Sequence, residues 1–148
     1  MKIDNTDYEY AIYGMLFSLS NRIQTIGDKE LEDITLKQHF LLVALEMFTT
    51  PPTLKQMGEL VGCSYQNVKR MAEQLEKKNY LQIKKDETDK RKLLLVSTGK
   101  KQELEGEINK VTTEFMERLY RDIPKENLII TLQTLMKMDQ NIGGAVEL

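Results

Sequence analysis

The chain has 148 residues, 41% apolar and 30% charged, with a net charge of −2. That length and balance suit a single domain around one hydrophobic core. No run approaches roughly 18 continuous apolar residues, and the opening MKIDNTDYEY lacks a signal-peptide core, so neither a membrane span nor export is expected.

One cysteine, Cys63, excludes an internal disulfide and fits a reducing cytoplasm. A single His and a single Cys leave little for a structural zinc site or a Cys–His catalytic pair. No nucleophile–base or acid–base constellation is visible, so no enzyme activity, cofactor or metal is expected.

The first predicted helix runs from Asp7 to Ile26. Ile12, Leu16, Leu19, Ile23 and Ile26 recur at spacings of 4, 3, 4 and 3, a coiled-coil-like seam. Thr35 and Gln38 form a capping box that opens a second helix, Leu36 to about Thr49. Its residues Phe40 to Leu45, Met47 and Phe48 are apolar nearly all round, which predicts a central, buried helix. His39 falls on this helix and reads as a structural histidine. Thr49-Thr50-Pro51-Pro52 is a hinge-sized break.

Thr53 and Gln56 give another capping box, and Leu54, Met57, Gly58 and Val61 follow as one apolar stripe. Glycine costs roughly 1 kcal/mol against alanine inside a helix. Gly58 is therefore expected where the next helix crosses too closely for a side chain. Gly62 ends this helix through a left-handed turn. Cys63 packs in that turn, and Ser64 caps the following helix, whose buried stripe is Val68, Met71, Ala72 and Leu75.

That phase leaves Tyr65, Gln66, Lys69 and Arg70 outward, as a recognition helix presents them to base edges and phosphates. Ser64 and Asn67 complete its DNA-facing tip.

Leu81 and Ile83 alternate with Gln82 and Lys84 as in a half-buried strand, and Lys92 to Val96 is the returning strand. The polar loop between them holds Asp89, positioned to pair with a neighbouring cation, and Lys90, Arg91 and Lys92, positioned to reach a minor groove. From Thr53 to Lys101 there are twelve Lys/Arg and six Asp/Glu, a local +6, against −8 elsewhere. Such a basic module can bind phosphates despite an acidic whole, because charges are screened beyond about 8 Å.

A long helix follows, Lys100 to about Arg121, with Leu104, Ile108, Val111, Phe115 and Leu119 on one stripe. Pro124 stands at the start of a last helix bearing Leu128, Leu132 and Leu135, which Gly143-Gly144 ends. These terminal seams have no partner in sequence beyond each other. Packing on a second copy would bury them and set two recognition helices about 34 Å apart, one turn of DNA.

With these residues in place, the chain resembles the MarR family of bacterial transcription regulators over nearly its whole length. TLKQMGELVGCSYQNVKRMAEQLEKKNYL and the wing triplet Asp89-Lys90-Arg91, matching D-x-R, carry the likeness. Two features depart from the family pattern: Val96-Ser97-Thr98-Gly99-Lys100 replaces L-T-x-x-G, and Ile123 replaces the Ser or Thr cap before the last helix. The thiol-oxidation branch senses through a cysteine in its first helix, and none lies there.

The fold expectation is mainly α with a small β-wing. It places a winged-helix core at residues 35–98 of one 148-residue domain, flanked by dimerisation helices at 7–26 and 100–143. The resemblance implies a homodimer on double-stranded, pseudo-palindromic DNA, with recognition helices in major grooves and wing arginines in minor grooves. It further implies a small ligand or oxidant that lowers DNA affinity through the dimer-helix junction; the expected role is that of a repressor relieved by a small-molecule effector. The competing expectation is a winged-helix protein-interaction module without DNA binding, which the cationic tip disfavours.

Overall fold

Two capping boxes foreseen in the sequence set the frame of the structure, a computed structural model that describes residues 7–103 and 105–144. Residues 1–6, read above as lacking a signal-peptide core, and Leu104 of the expected seam lie outside these. Helix α1 spans Tyr8–Glu30 and α2 Leu36–Glu46, followed by α3 at Leu54–Val61 and α4 at Tyr65–Lys77. Strands β1 (Leu81–Lys85) and β2 (Leu93–Ser97) pair antiparallel, with Ile83 opposite Leu95. Then come α5 (Lys100–Glu103), α6 (Glu105–Leu119) and α7 (Lys125–Asn141).

At Thr35 and Thr53 both halves of each capping box are made, so the first turns of α2 and α3 are satisfied from within. Gly62, at φ 66°, closes α3 in the left-handed region. Leu95 N–H donates to the Pro52 carbonyl, and Thr53 bridges to Leu94, which fastens the break after α2 to the wing sheet.

The core is one cluster centred on α2, α3, α4 and the wing. Leu41, Met57, Val68, Leu75, Tyr80 and Leu95 are among its fully withdrawn side chains. At about 1.5–3 kcal/mol for each large apolar side chain removed from water, this cluster is the main stabilising term.

Two expectations change. Helix α1 continues four residues past Ile26, because buried Gly27 lets Leu36 lie against its backbone. Helix α2 stops at Glu46 and is not buried all round: Phe40 is 52% and Met47 72% exposed. One side of α2 fills the core while the other stays open. The expected long helix is helical at Lys100–Glu103 and Glu105–Leu119. On its stripe Phe115 is buried, while Ile108, Val111 and Leu119 are half-buried.

Polar contacts attach the last helices to the rest. Lys101, almost wholly buried, places Nζ 2.6 Å from Glu46 Oε2, and Gln102 Nε2 donates to Glu46 Oε1 at 3.1 Å. Burial pushes the neighbouring His39 imidazole below its ordinary pKa, and Lys101 adds to this while Glu46 opposes it. No described helix is long and apolar enough to cross a membrane.

Among the described glycines, Gly58 is the one closed in by backbone. A Cβ there would stand 2.8 Å from the Cys63 carbonyl oxygen and 3.7 Å from a Val68 methyl. The turn's own backbone therefore demands glycine first, and the crossing helix only second. Gly58→Ala is expected to lower stability by about 1–3 kcal/mol, since overpacking must displace backbone. A denaturation midpoint equal to wild type would show that the turn yields freely.

Candidate nucleic-acid interface

Helix α4 is prepared at both ends. Ser64, extended at ψ 152°, accepts the Asn67 N–H on Oγ at 3.3 Å. At the far end Asn79 N–H donates to Glu76 O and Tyr80 N–H to Leu75 O, with Asn79 at φ 63°. These two bonds make a Schellman motif with asparagine at the left-handed position. Between the caps Val68, Ala72 and Leu75 are fully buried.

The opposite face is open, as its phase required. Tyr65, Gln66, Asn67 and Arg70 are exposed, along with Ser64. Lys69 is half-buried, with Nζ 3.7 Å from Glu73 one turn on. An exposed i,i+4 pair of this kind contributes at most about 0.5 kcal/mol, so an arriving phosphate can take the lysine.

The wing tip is ordered by two aspartates inside a basic loop. Asp86 Oδ1 accepts from Thr88 N (2.7 Å), Thr88 Oγ1 (2.6 Å) and Asp89 N (2.8 Å). Asp86 N–H donates to Lys92 O, and Lys92 N–H to Asp89 O. Asp89 then takes Arg91 in two places: Nε donates to Oδ1 at 3.0 Å and Nη2 to Oδ2 at 3.3 Å. The Arg91 side chain is nonetheless 91% exposed, and Lys90 and Lys92 stand exposed on either side. The expected acid–cation pair is thus Asp89–Arg91 itself. The arginine is held by its acid and still offers its outer face.

Helix and wing are also fastened to each other. Glu76, on α4, accepts the Ile83 N–H of β1 at 2.7 Å. Gln38 at the head of α2, itself buried, donates to Gln74 of α4 at 2.7 Å. Sequence reasoning gives no role to Asp86, Glu76 or Gln74. Asp86-Glu87-Thr88 carried a local signal, since aspartate readily hydrogen-bonds backbone two residues on. The other two act across tertiary contacts and carried none. Cys63 packs against the core from its turn.

Hydrogen bonds from the Arg91 side chain, then from its N–H, hold the Asp89 carboxyl below the ordinary 3.8; burial and Asp86 oppose them. A carboxylate depressed in the folded state contributes stability above its unfolded pKa and loses it as pH falls through the lowered value. The Arg91 Nε–H NMR shift is therefore expected to leave its hydrogen-bonded value on acidification, with a midpoint below the ordinary carboxylate value of 3.8. Asp89→Ala should remove that shift at neutral pH. The same shift in the alanine variant would mean that the pair does not form in solution.

Residues 34–93 match the model of the MarR family. No curated protein is significantly similar to the chain in sequence. Among solved structures, a MarR protein from Peptoclostridium difficile superposes with a TM-score of 0.77 at 21% identity, over 96% of this chain and 91% of its own. The MepR–DNA complex of S. aureus gives 0.74 at 22% identity, over 87% and 97%. The PcaV regulator of Streptomyces coelicolor, solved with its natural ligand, gives 0.75 at 14% identity, over 95% and 97%. MarR-family proteins are transcription regulators and not enzymes. The chain is thus similar to the MarR family over its winged helix, within a fold that it shares with these solved structures along most of its length.

Proposed function

We propose that the protein is a homodimeric, cytoplasmic repressor that reads a pseudo-palindromic operator and is released from it by a small-molecule effector. One observation carries the reading. The Ser64–Arg70 face of α4 and the Arg91 wing tip are both uncovered, while the opposite side of α4 is locked in the core. Gln66 suits adenine bidentately, Arg70 suits guanine or phosphate, and Tyr65 suits a phosphate or a thymine methyl. Ser64, Asn67 and Lys69 support that tip. Arg91, flanked by Lys90 and Lys92, suits the negative potential of a narrow minor groove.

The homodimer is supported by what the protomer leaves open. Helix α7 has no buried residue, and α1 has only Gly27. Tyr13, Phe17, Leu19, Ile130 and Leu132 are exposed on these two helices, large apolar side chains of the kind that mark an interaction surface when they cluster. The effector is supported by a cleft of about 720 Å³ between the α1–α2 loop and α6, with Tyr80, Lys100, Ile108 and Val111 in its lining. That volume is in the range of small-molecule sites.

The experiment is to pull genomic fragments with purified protein, measure binding by fluorescence anisotropy, and repeat with candidate effectors. Arg91→Ala should weaken binding and lower the slope of log affinity against log salt by about one. Unchanged affinity with an unchanged slope would remove the wing from the DNA. Gln66→Ala should relax sequence preference, and a uniform loss over all sequences would reassign Gln66 to a phosphate. A monomeric mass in sedimentation at micromolar protein would remove the dimer.

A further inference from the structure

Among the described residues, the C-terminal end of α4 meets the α1–α2 loop and the start of α5 through polar side chains. Tyr80 follows the Schellman turn directly and is wholly buried, so its ring continues the rigid body of α4. Its hydroxyl donates to Asp33 Oδ2 at 2.7 Å. Asp33 lies in the short loop between α1 and α2, and that loop is itself fixed: Leu31 N–H donates to Gly27 O, and Leu36 N–H to Asp28 Oδ1 at 2.7 Å.

Lys78, the last residue of the helix end, donates from Nζ to the Asp33 carbonyl. From the other side Lys100, at the start of α5, lays its ammonium 4.4 Å from the centre of the Tyr80 ring and donates to Lys78 O at 2.7 Å. The other polar attachments of the last helices among the described residues go elsewhere: Lys101 and Gln102 to Glu46 on α2, and Arg118 to Glu30 on α1.

We infer that the Tyr80–Asp33 hydrogen bond is the joint that sets the angle of the recognition helix to the flanking helices, making Tyr80 a positioning residue for two-site DNA binding. The inference rests on the dimer reading given above and adds a residue far from the DNA surface. Apolar packing holds α4 in the lobe but is not directional, whereas a hydrogen bond to a carboxylate fixes both distance and direction. In a two-fold dimer a small error in this angle is applied twice. It misplaces the second recognition helix after the first has docked. Tyr80, Asp33 and Lys100 also line the cleft proposed for the effector, so occupancy there bears directly on the joint.

The test compares the full-length protein with Tyr80→Phe, Asp33→Ala, Asp33→Asn and the Tyr80→Phe/Asp33→Ala double variant. Tyr80→Phe keeps the buried ring and the platform for Lys100. It leaves no buried carboxylate unpaired, because the Asp33 side chain is 54% exposed. Each variant is titrated against a two-half-site operator, a single half-site, and operators with one base pair added or removed at the centre.

Tyr80→Phe is expected to bind the full operator roughly tenfold more weakly, the scale of one hydrogen bond to a charged group. Its half-site affinity and salt slope should be unchanged, and its preference among spacings flattened. Asp33→Asn, which keeps an acceptor, should recover most of the loss, and the double variant should be no worse than Tyr80→Phe alone. Equal losses on half and full sites, or wild-type behaviour of Tyr80→Phe, would overturn the joint. Wild-type protein that binds none of these duplexes would instead overturn the DNA-binding dimer on which the joint depends.

Discussion

Val68, Ala72 and Leu75 remove one side of α4 from water completely, and with that they decide which residues the helix can offer outward. Successive helical residues are separated by about 100°, so no rotation of α4 keeps this stripe dry while turning Gln66 or Arg70 in. Losing one such side chain to the surface costs on the order of 1.5–3 kcal/mol, a large fraction of the stability of a small domain. The outward face is thus fixed by what lies behind it. Gly58 belongs to the same constraint, because its bare backbone lets the Cys63 turn deliver Ser64 to the head of α4.

The wing solves the complementary problem of presenting a charge without letting it wander. A free arginine side chain gives up roughly 1.5–2 kcal/mol of rotamer freedom when it is ordered. Here Asp89 orders Arg91 in the folded protein, with Asp86 fixing the loop that carries both. Part of the ordering cost is then met before any partner arrives, which is how preorganisation raises affinity. Two acidic residues lower the net charge of a cationic loop, yet they sharpen its aim. The overall −2 is therefore a poor guide to this surface, while the +6 over Thr53–Lys101 is a good one.

What the sequence discloses here follows the range of the forces involved. The caps at Thr35, Thr53 and Ser64, the left-handed Gly62 and the alternation in β1 each depend on residues within four positions, and each is found as expected. The buried stripe of α4 depends on periodicity alone and was equally legible. The run Phe40–Met47 misled because apolar residues all round a helix imply burial only when every side is covered, and Phe40 and Met47 stay largely uncovered. Tyr80 with Asp33, and Lys101 with Glu46, are separated by 47 and 55 positions. No local pattern announces such pairs, since the fold alone brings them together.

The division between near and distant contacts is also a division of labour. Inside the winged helix, stability comes from the close-packed apolar cluster around Leu41, Met57 and Leu95, whose attraction is strong but not directional. Between that lobe and the helices around it, the contacts are directional: Tyr80 to Asp33, Lys100 to the Lys78 carbonyl, Lys101 and Gln102 to Glu46. A lobe held firm within and hinged by a few oriented bonds has a defined resting angle, together with a short set of bonds whose loss would change it. Charged groups suit such a hinge because water can receive most of them when it opens, as the exposed Asp33 carboxylate illustrates. Lys101 is the exception. Buried beside His39, it would leave an unpaired ammonium in the interior if Glu46 withdrew, at a cost of about 3–5 kcal/mol. The attachment through α2 is therefore the fixed pivot of the hinge, and the attachment through Tyr80 is the end that can give.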